Sequence, residues 1–451
     1  MLSFTSMRVF VVPLALCLAQ CSSSTATHAD ATDSAQDDTG AVAWPELVLD
    51  PTTPLPTLAS TTTTVRVLLR KNGAALTGEL DVKAALGSGT VTPTHGNTDA
   101  NGALALSWTT GPVPIAQRLK VTSAQGVALE VTATVAVQSE QTPPVFGQVD
   151  AWMTAQGLDG TTEDIAIAPD GSYAIIGTSG HLLRVDPAGD VTAIVTTGDA
   201  EPGNPLGMLF EPGGDLLFCD SDVHGLRRMT PDGVLSTLTT TDGAQPLIQP
   251  NDLARDAIGH IWFSDPCIGK LLRYDPATKT TTIAATWDLA TQGGPNGVAV
   301  SPDGKWIAAT TENVSLTCGK GGADPFAPLG RAWIAPMSDG PLTFTPLGEP
   351  MGIFGDGCVY DELGNLYATF DRFVSEPTVG LQDTRVVVWR VGETVPQPFL
   401  HATDGLFANV AFGRGAFGNG QLYIALLRVA PFVPDNARGL RRFAAGLTGG
   451  P

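Results

Sequence analysis

The feature that most constrains this chain is an internal repeat across its last 300 or so residues. In its first copy, Ile165-Ala166-Ile167-Ala168-Pro169-Asp170-Gly171-Ser172-Tyr173-Ala174-Ile175-Ile176, an apolar run enters a tight glycine turn and a second apolar run leaves it. The pattern returns around Gly214, Gly259, Gly304 and Gly364, and more loosely around Gly420, with gaps of 43, 45, 45, 60 and 56 residues. Third strands such as Leu182-Leu183-Arg184-Val185-Asp186 and Leu271-Leu272-Arg273-Tyr274-Asp275 follow the earlier copies, each leading into a Thr-rich or Val-rich fourth. Four strands per repeat, six times over, predict an all-β fold with a six-bladed β-propeller over residues 145–446. The 51 glycines and 34 prolines fit the turns of such a fold.

A fixed distance from the turn implies a fixed height on the innermost strand of each blade. Eight residues before the successive turn glycines stand Glu163, Leu206, Asn251, Asn296 and Asp356; in the looser sixth copy Asn409 is the nearest equivalent. Glu163, Asn251, Asn296 and Asp356 thus converge at one mouth of the central channel. Two carboxylates and two amides are oxygen donors, a set suited to a hard divalent cation such as Ca2+.

The segments Pro250-Asn251-Asp252, Gly294-Pro295-Asn296-Gly297 and Asp356-Gly357, each entering a blade, resemble the senescence-marker-protein/gluconolactonase/regucalcin family. The resemblance implies a divalent cation held by Glu163, Asn296 and Asp356, with Asn251 as a ligand or near-ligand. It also implies hydrolysis of a lactone or related ester, with Asp356 as general base or nucleophile. The loops that join second to third strands open on the same face, so His181, Asp220 and His224 are expected to line the substrate pocket. Cys267 and Cys318 fall in adjacent loops of this kind and are the expected disulfide pair.

Two other readings stand beside this one. The propeller face binds carbohydrate or protein without catalysis, or the chain resembles an NHL-like or strictosidine-synthase-like propeller that holds no metal.

The N-terminal third reads differently. Residues 1–21 carry Arg8 and then an apolar run from Val9 to Ala19, too short to span a bilayer. The run ends in Leu18-Ala19-Gln20-Cys21, which resembles a bacterial lipobox with Cys21 as the lipidated residue; Gln20 departs from the pattern. Residues 22–43 are mostly Ser, Thr, Ala and Asp without apolar periodicity and read as a disordered linker. Residues 44–140 alternate in short strands and resemble bacterial Ig-like domains, notably around Thr98-Asp99-Ala100-Asn101-Gly102-Ala103 and Trp108-Thr109-Thr110-Gly111. The expected location is the bacterial cell envelope, lipid-anchored or secreted. The formal charge of −20, from 25 Lys+Arg against 45 Asp+Glu, excludes a nucleic-acid partner and limits membrane contact to the lipid anchor.

Overall fold

The computed structural model describes residues 44–158, 161–195, 201–320, 324–374, 380–427 and 438–450. The expected signal segment, Cys21 and the linker lie outside the described residues. The described chain is built almost wholly of antiparallel strands, and none of its helices is long and apolar enough to cross a membrane.

The first hundred described residues form two antiparallel sheets. One contains Pro45–Leu49, Thr62–Lys71, Ala103–Thr109 and Thr90–Thr92 in that spatial order; the other contains His95–Asn97, Glu79–Ala84, Ala116–Ser123 and Ala128–Thr134. Alternate side chains of both sheets meet in one core, including Val65, Val67, Leu80, Val82, Leu106 and Trp108. This is the period-2 burial expected where each sheet has one wet face. The Trp108 indole N–H, wholly buried, donates to the Ser88 carbonyl at 2.8 Å.

From Val145 onward, six four-stranded antiparallel units follow one another in a propeller-like arrangement. The innermost strands are Ile165–Ile167, Pro205–Phe210, Leu253–Arg255, Gly294–Val300, Phe354–Tyr360 and Leu406–Phe412. Each innermost strand turns back into a second strand: Ala174–Thr178, Leu216–Asp220, Ile261–Asp265, Trp306–Glu312, Leu366–Val374 and Gln421–Leu427. All six turn glycines have positive φ, between 67° and 101°. An L-residue with a Cβ rarely takes that conformation, which is why glycine recurs at this point of the repeat. The second strands are apolar on both faces because each sheet is covered by its neighbours. Outer strands such as Val191–Ile194 and Leu235–Thr239 are largely exposed and Thr-bearing.

A separate apolar cluster sits between each pair of neighbouring units, for example Ile175, Met208 and Phe218 between the first and second. The inner strand of the first unit contacts those of both the second and the sixth. The sixth unit completes its sheet with a strand from the other end of the region: Val145–Phe146 pairs with Gly439–Ala444. That pairing was not legible in the sequence.

The two-sheet unit does not stand apart. Val113 and Ile115 enter the cluster formed by Tyr367, Val386, Phe399 and Leu447. The Arg390 guanidinium donates to the Pro114 carbonyl at 2.8 Å and the Val135 carbonyl at 2.7 Å. The Arg390→Ala variant removes two charge-assisted bonds in a largely buried setting. The expected cost is about 1.5–3 kcal/mol, read by chemical denaturation against the unaltered chain; an unchanged midpoint would show that the apolar contact alone carries the docking.

Candidate active site

The site begins with a backbone irregularity. The inner strands slip register against their second strands between Pro205 and Met208, Pro295 and Val298, Gly355 and Cys358, and Phe407 and Val410. Pairing resumes at Met208, Val298, Cys358 and Val410, and first appears at Ile165 and Leu253 in the other two units. Two residues therefore precede ladder pairing in every unit. The outer of the two is Glu163, Leu206, Asn251, Asn296, Asp356 and Ala408 in turn. The inner is Asp164, Gly207, Asp252, Gly297, Gly357 and Asn409. The first five of the outer set match the sequence reading, whereas Ala408, not Asn409, is the sixth member. The longer turn before Gly420 displaced the count.

The inner set ties the units together. Asp164 accepts the Met208 N–H of the second unit at 2.6 Å, and Asp252 accepts the Val298 N–H of the fourth at 2.8 Å. Asn409 donates from Nδ2 to Asp252 Oδ1 at 3.3 Å. Glycine at 357 makes room for this, since a methyl there would collide with the Asn409 side chain. On the far side of this layer lies a cavity of about 680 Å3, lined by residues such as Ile165, Leu253, Val298 and Tyr360 and bordered by the C-terminal Thr448 to Gly450. Glu163, Asn251, Asn296 and Asp356 are not part of its lining.

The outer set is buried: Glu163 is 7% exposed, Asn251 5%, Asn296 2% and Asp356 6%. Two further carboxylates join it, Glu312 at 4% and Asp371 at 1% exposure. Burial pushes the Glu163 and Asp356 carboxyls well above the usual carboxylate range; Glu312 and Asp371 add to both, and Glu163 pushes Asp356 further. Burial raises Glu312 to about 7 despite hydrogen bonds from Thr317 and Asn296, and Asp371 to about 8 despite bonds from Thr384 and Phe407. Asn296 Nδ2 donates to Glu312 Oε2 at 3.2 Å, leaving Asn296 Oδ1 buried without a hydrogen-bond partner; Asp371 Oδ1 is likewise unpartnered. Asn251 is anchored through its backbone, which donates to Ser264 O at 2.9 Å and accepts the Gly207 N–H at 2.7 Å.

Among the described residues no three His, Cys, Asp or Glu side chains by themselves form a group able to hold a metal ion. The donors gathered here are of mixed type, carboxylate and amide oxygen, with acceptors left over. Such a site relieves its charge either by holding protons or by taking a hard cation.

Glu312 and Asp371 escaped the sequence reading although a signal for them exists. The second strands of the second to fourth units end in an acid, Asp220, Asp265 and Glu312, and that of the fifth carries Asp371 three residues before its end. Counted from the residues opposite Met208, Leu253, Val298 and Cys358, the first two lie two places on and the last two lie three. One residue of register turns a strand side chain to the opposite face.

That difference also accounts for Asp220, expected at the substrate pocket. It is fully buried and accepts the Gly203 and Asn204 N–H groups and the Arg227 guanidinium, so it holds a loop instead of facing a substrate. His224 is exposed in the next turn with φ of 55°, its Nδ1 2.5 Å from the Ile248 carbonyl. His181, half-buried, opens the third strand of the first unit. Cys267 and Cys318 are bonded, with Cα atoms 5.5 Å apart, while Cys219 and Cys358 are buried free thiols.

Residues 176–369 match a family model described as "SMP-30/Gluconolactonase/LRE-like region". Two curated Arabidopsis thaliana proteins also match. Strictosidine synthase-like 13 is 32% identical over 133 residues, 25% of this chain and 32% of that protein. Strictosidine synthase-like 3 is 31% identical over 125 residues, 23% and 30% respectively. The chain thus spans about a third of the length of these relatives. Among solved structures, a gluconolactonase from Xanthomonas campestris is 19% identical, with 64% of this chain and 86% of that one covered and a TM-score of 0.47. A calcium-binding protein, regucalcin, from Agrobacterium tumefaciens is 16% identical, with 64% and 91% covered and a TM-score of 0.44.

The buried carboxyls give stability a definite pH dependence. Unfolded, they ionise near pH 4; folded, Glu312 and Asp371 resist ionisation until pH 7 to 8. Between those values the folded state binds more protons than the unfolded one, so stability falls as pH rises through that window. Melting scans in chelator from about pH 5 to 8.5 are expected to lose several degrees. A melting temperature in chelator that rises across this range would contradict the assignment.

Proposed function

We propose that residues 145–446 form a closed six-bladed β-propeller that acts as a divalent-cation-dependent lactonase or esterase. The observation that carries this reading is the buried outer set: burial and neighbouring carboxylates raise both Glu163 and Asp356, and beside them Asn296 keeps an unpartnered Oδ1. Glu163, Asn296 and Asp356 would hold the cation, Ca2+ on the chemistry of the donors, with Asn251 as a ligand or near-ligand. The match over residues 176–369 to a family description that includes gluconolactonase supports the reaction class.

When bound, a divalent cation supplies a Lewis acid for a carbonyl oxygen. The chain's own residues would do the rest. Glu163 holds charge at the mouth. Asp356, whose buried carboxyl is more basic than a solvated one, takes a proton from the attacking water as the C–O bond to the carbonyl carbon forms. The ring C–O bond then breaks, and the proton returns to the leaving alkoxide to give the hydroxy acid. The Asp164–Asp252–Asn409 layer closes the inner side of the site.

The N-terminal sheets are proposed as an Ig-like spacer, since their strand orders follow those of an immunoglobulin-type sandwich. Export, with a lipid anchor at Cys21 in the bacterial envelope, is supported by the Cys267–Cys318 disulfide, which favours an oxidising compartment. The Arabidopsis matches favour a second reading, a strictosidine-synthase-like propeller, proposed here to work without a metal.

The test is hydrolysis of a panel of small lactones and esters, with and without chelator, alongside elemental analysis. Chelator-sensitive turnover that falls about 100-fold or more in Asp356→Ala is expected. Absence of a bound cation, with calcium without effect on melting, would favour the metal-free reading. Bound calcium with no turnover on any substrate would leave the propeller as a binding module for carbohydrate or protein.

A further inference from the structure

We propose that Glu312 is a positioning residue that fixes the amide of Asn296, and that the disulfide-tethered loop after it holds Glu312 in place. The inference rests on the cation-site reading and adds to it residues outside the donor set.

An asparagine amide has two faces of opposite character, an acceptor oxygen and a donor NH2, exchanged by a half-turn about one bond. Only one orientation offers oxygen to a cation. Glu312 decides between them, because its Oε2 lies against the amide as an acceptor. Its Oε2 takes the Asn296 NH2 at 3.2 Å, which turns Asn296 Oδ1 away toward the site, where it has no protein partner.

Glu312 is held in turn. Its Oε1 accepts the Thr317 hydroxyl at 3.1 Å. Thr317 adjoins Cys318, and the Cys267–Cys318 bond ties that loop to the third unit. Cys267 belongs to the short turn Pro266–Ile268, whose Pro266 lies directly against Gly294 at the start of the inner strand that carries Asn296. Asn313 secures the base of the loop by donating to the Asp324 and Ala327 carbonyls at 3.1 and 3.0 Å. The long insertion between the second and third strands of the fourth unit therefore supplies the hydroxyl that orders the carboxylate that orients the amide.

Glutamine and leucine at position 312 separate the hydrogen bond from the charge. Glutamine can accept the Asn296 NH2 with its oxygen and donate its own NH2 to the Thr317 oxygen. Leucine fills similar space and does neither. The measurement is calcium affinity of the full chain by titration calorimetry, with melting in chelator as the check that each variant folds. Expected are binding within about threefold of wild type for Glu312→Gln, a loss of about 10–100-fold for Glu312→Leu, and an intermediate loss for Thr317→Val that Thr317→Ser restores. If Glu312→Gln loses as much as Glu312→Leu, the carboxylate acts through its charge and the positioning role is wrong. If Thr317→Val, the mildest change, and Glu312→Leu both bind like wild type, the relay is wrong while the cation site stands. If the wild type takes up no calcium, the cation site falls and the relay with it.

Discussion

The structure depends on what happens where six strands converge and leave their ladders. Near the axis the inner strands give up two residues of regular pairing apiece, and the freed backbone groups must still find partners. Side chains of the preceding unit supply several of them and cap the residue where pairing resumes: Thr310 on the Asp356 carbonyl, Thr369 on the Ala408 carbonyl, Asp164 on the Met208 N–H and Asp252 on the Val298 N–H. Each such bond joins one unit to its neighbour. The irregularity that opens the mouth is thus also what locks the units together, and the glycines at 207, 297 and 357 are the small partners that let this layer close.

That arrangement sets the electrostatic problem of the site. Once Asp164 and Asp252 are spent on backbone, the outer carboxylates sit in a buried space whose strongest neighbouring charges are other carboxylates. Burial of like charges is costly, and proteins retain it where a proton or a cation repays it. The acids in the last part of the second strands show how finely this is divided. Asp220 and Asp265 accept loop N–H groups, while Glu312 and Asp371, one place further along, turn into the charged space. The same residue type in the same stretch of repeat stabilises a loop in two units and loads the site in two others.

The N-terminal sheets matter to the propeller-like region as more than a tether. Val113 and Ile115 complete the cluster between the fifth and sixth units, and Leu447 from the C-terminal end meets them there. Val145–Phe146 closes the sixth sheet. Both ends of the region are consequently pinned on the sixth unit, Leu447 on its side toward the fifth and Phe146 on its side toward the first.

What the sequence determined by itself is whatever repeats. Turn glycines at regular gaps specified the units, because only positive φ suits that turn, and a constant offset from them located Glu163, Asn251, Asn296 and Asp356. Cys267 and Cys318 paired as expected because the units bring their loops side by side. What only the tertiary structure decided is whatever breaks the period or crosses between units. A longer turn moved Asn409 from the outer set to the inner one, leaving Ala408 in its place. A one-residue difference in register separated Asp220 from Glu312 and Asp371. The strand that finishes the sixth unit comes from the far end of the region. Each of these depends on contacts between residues distant in the chain, and a local pattern of apolar and polar residues carries no record of the partner it will meet.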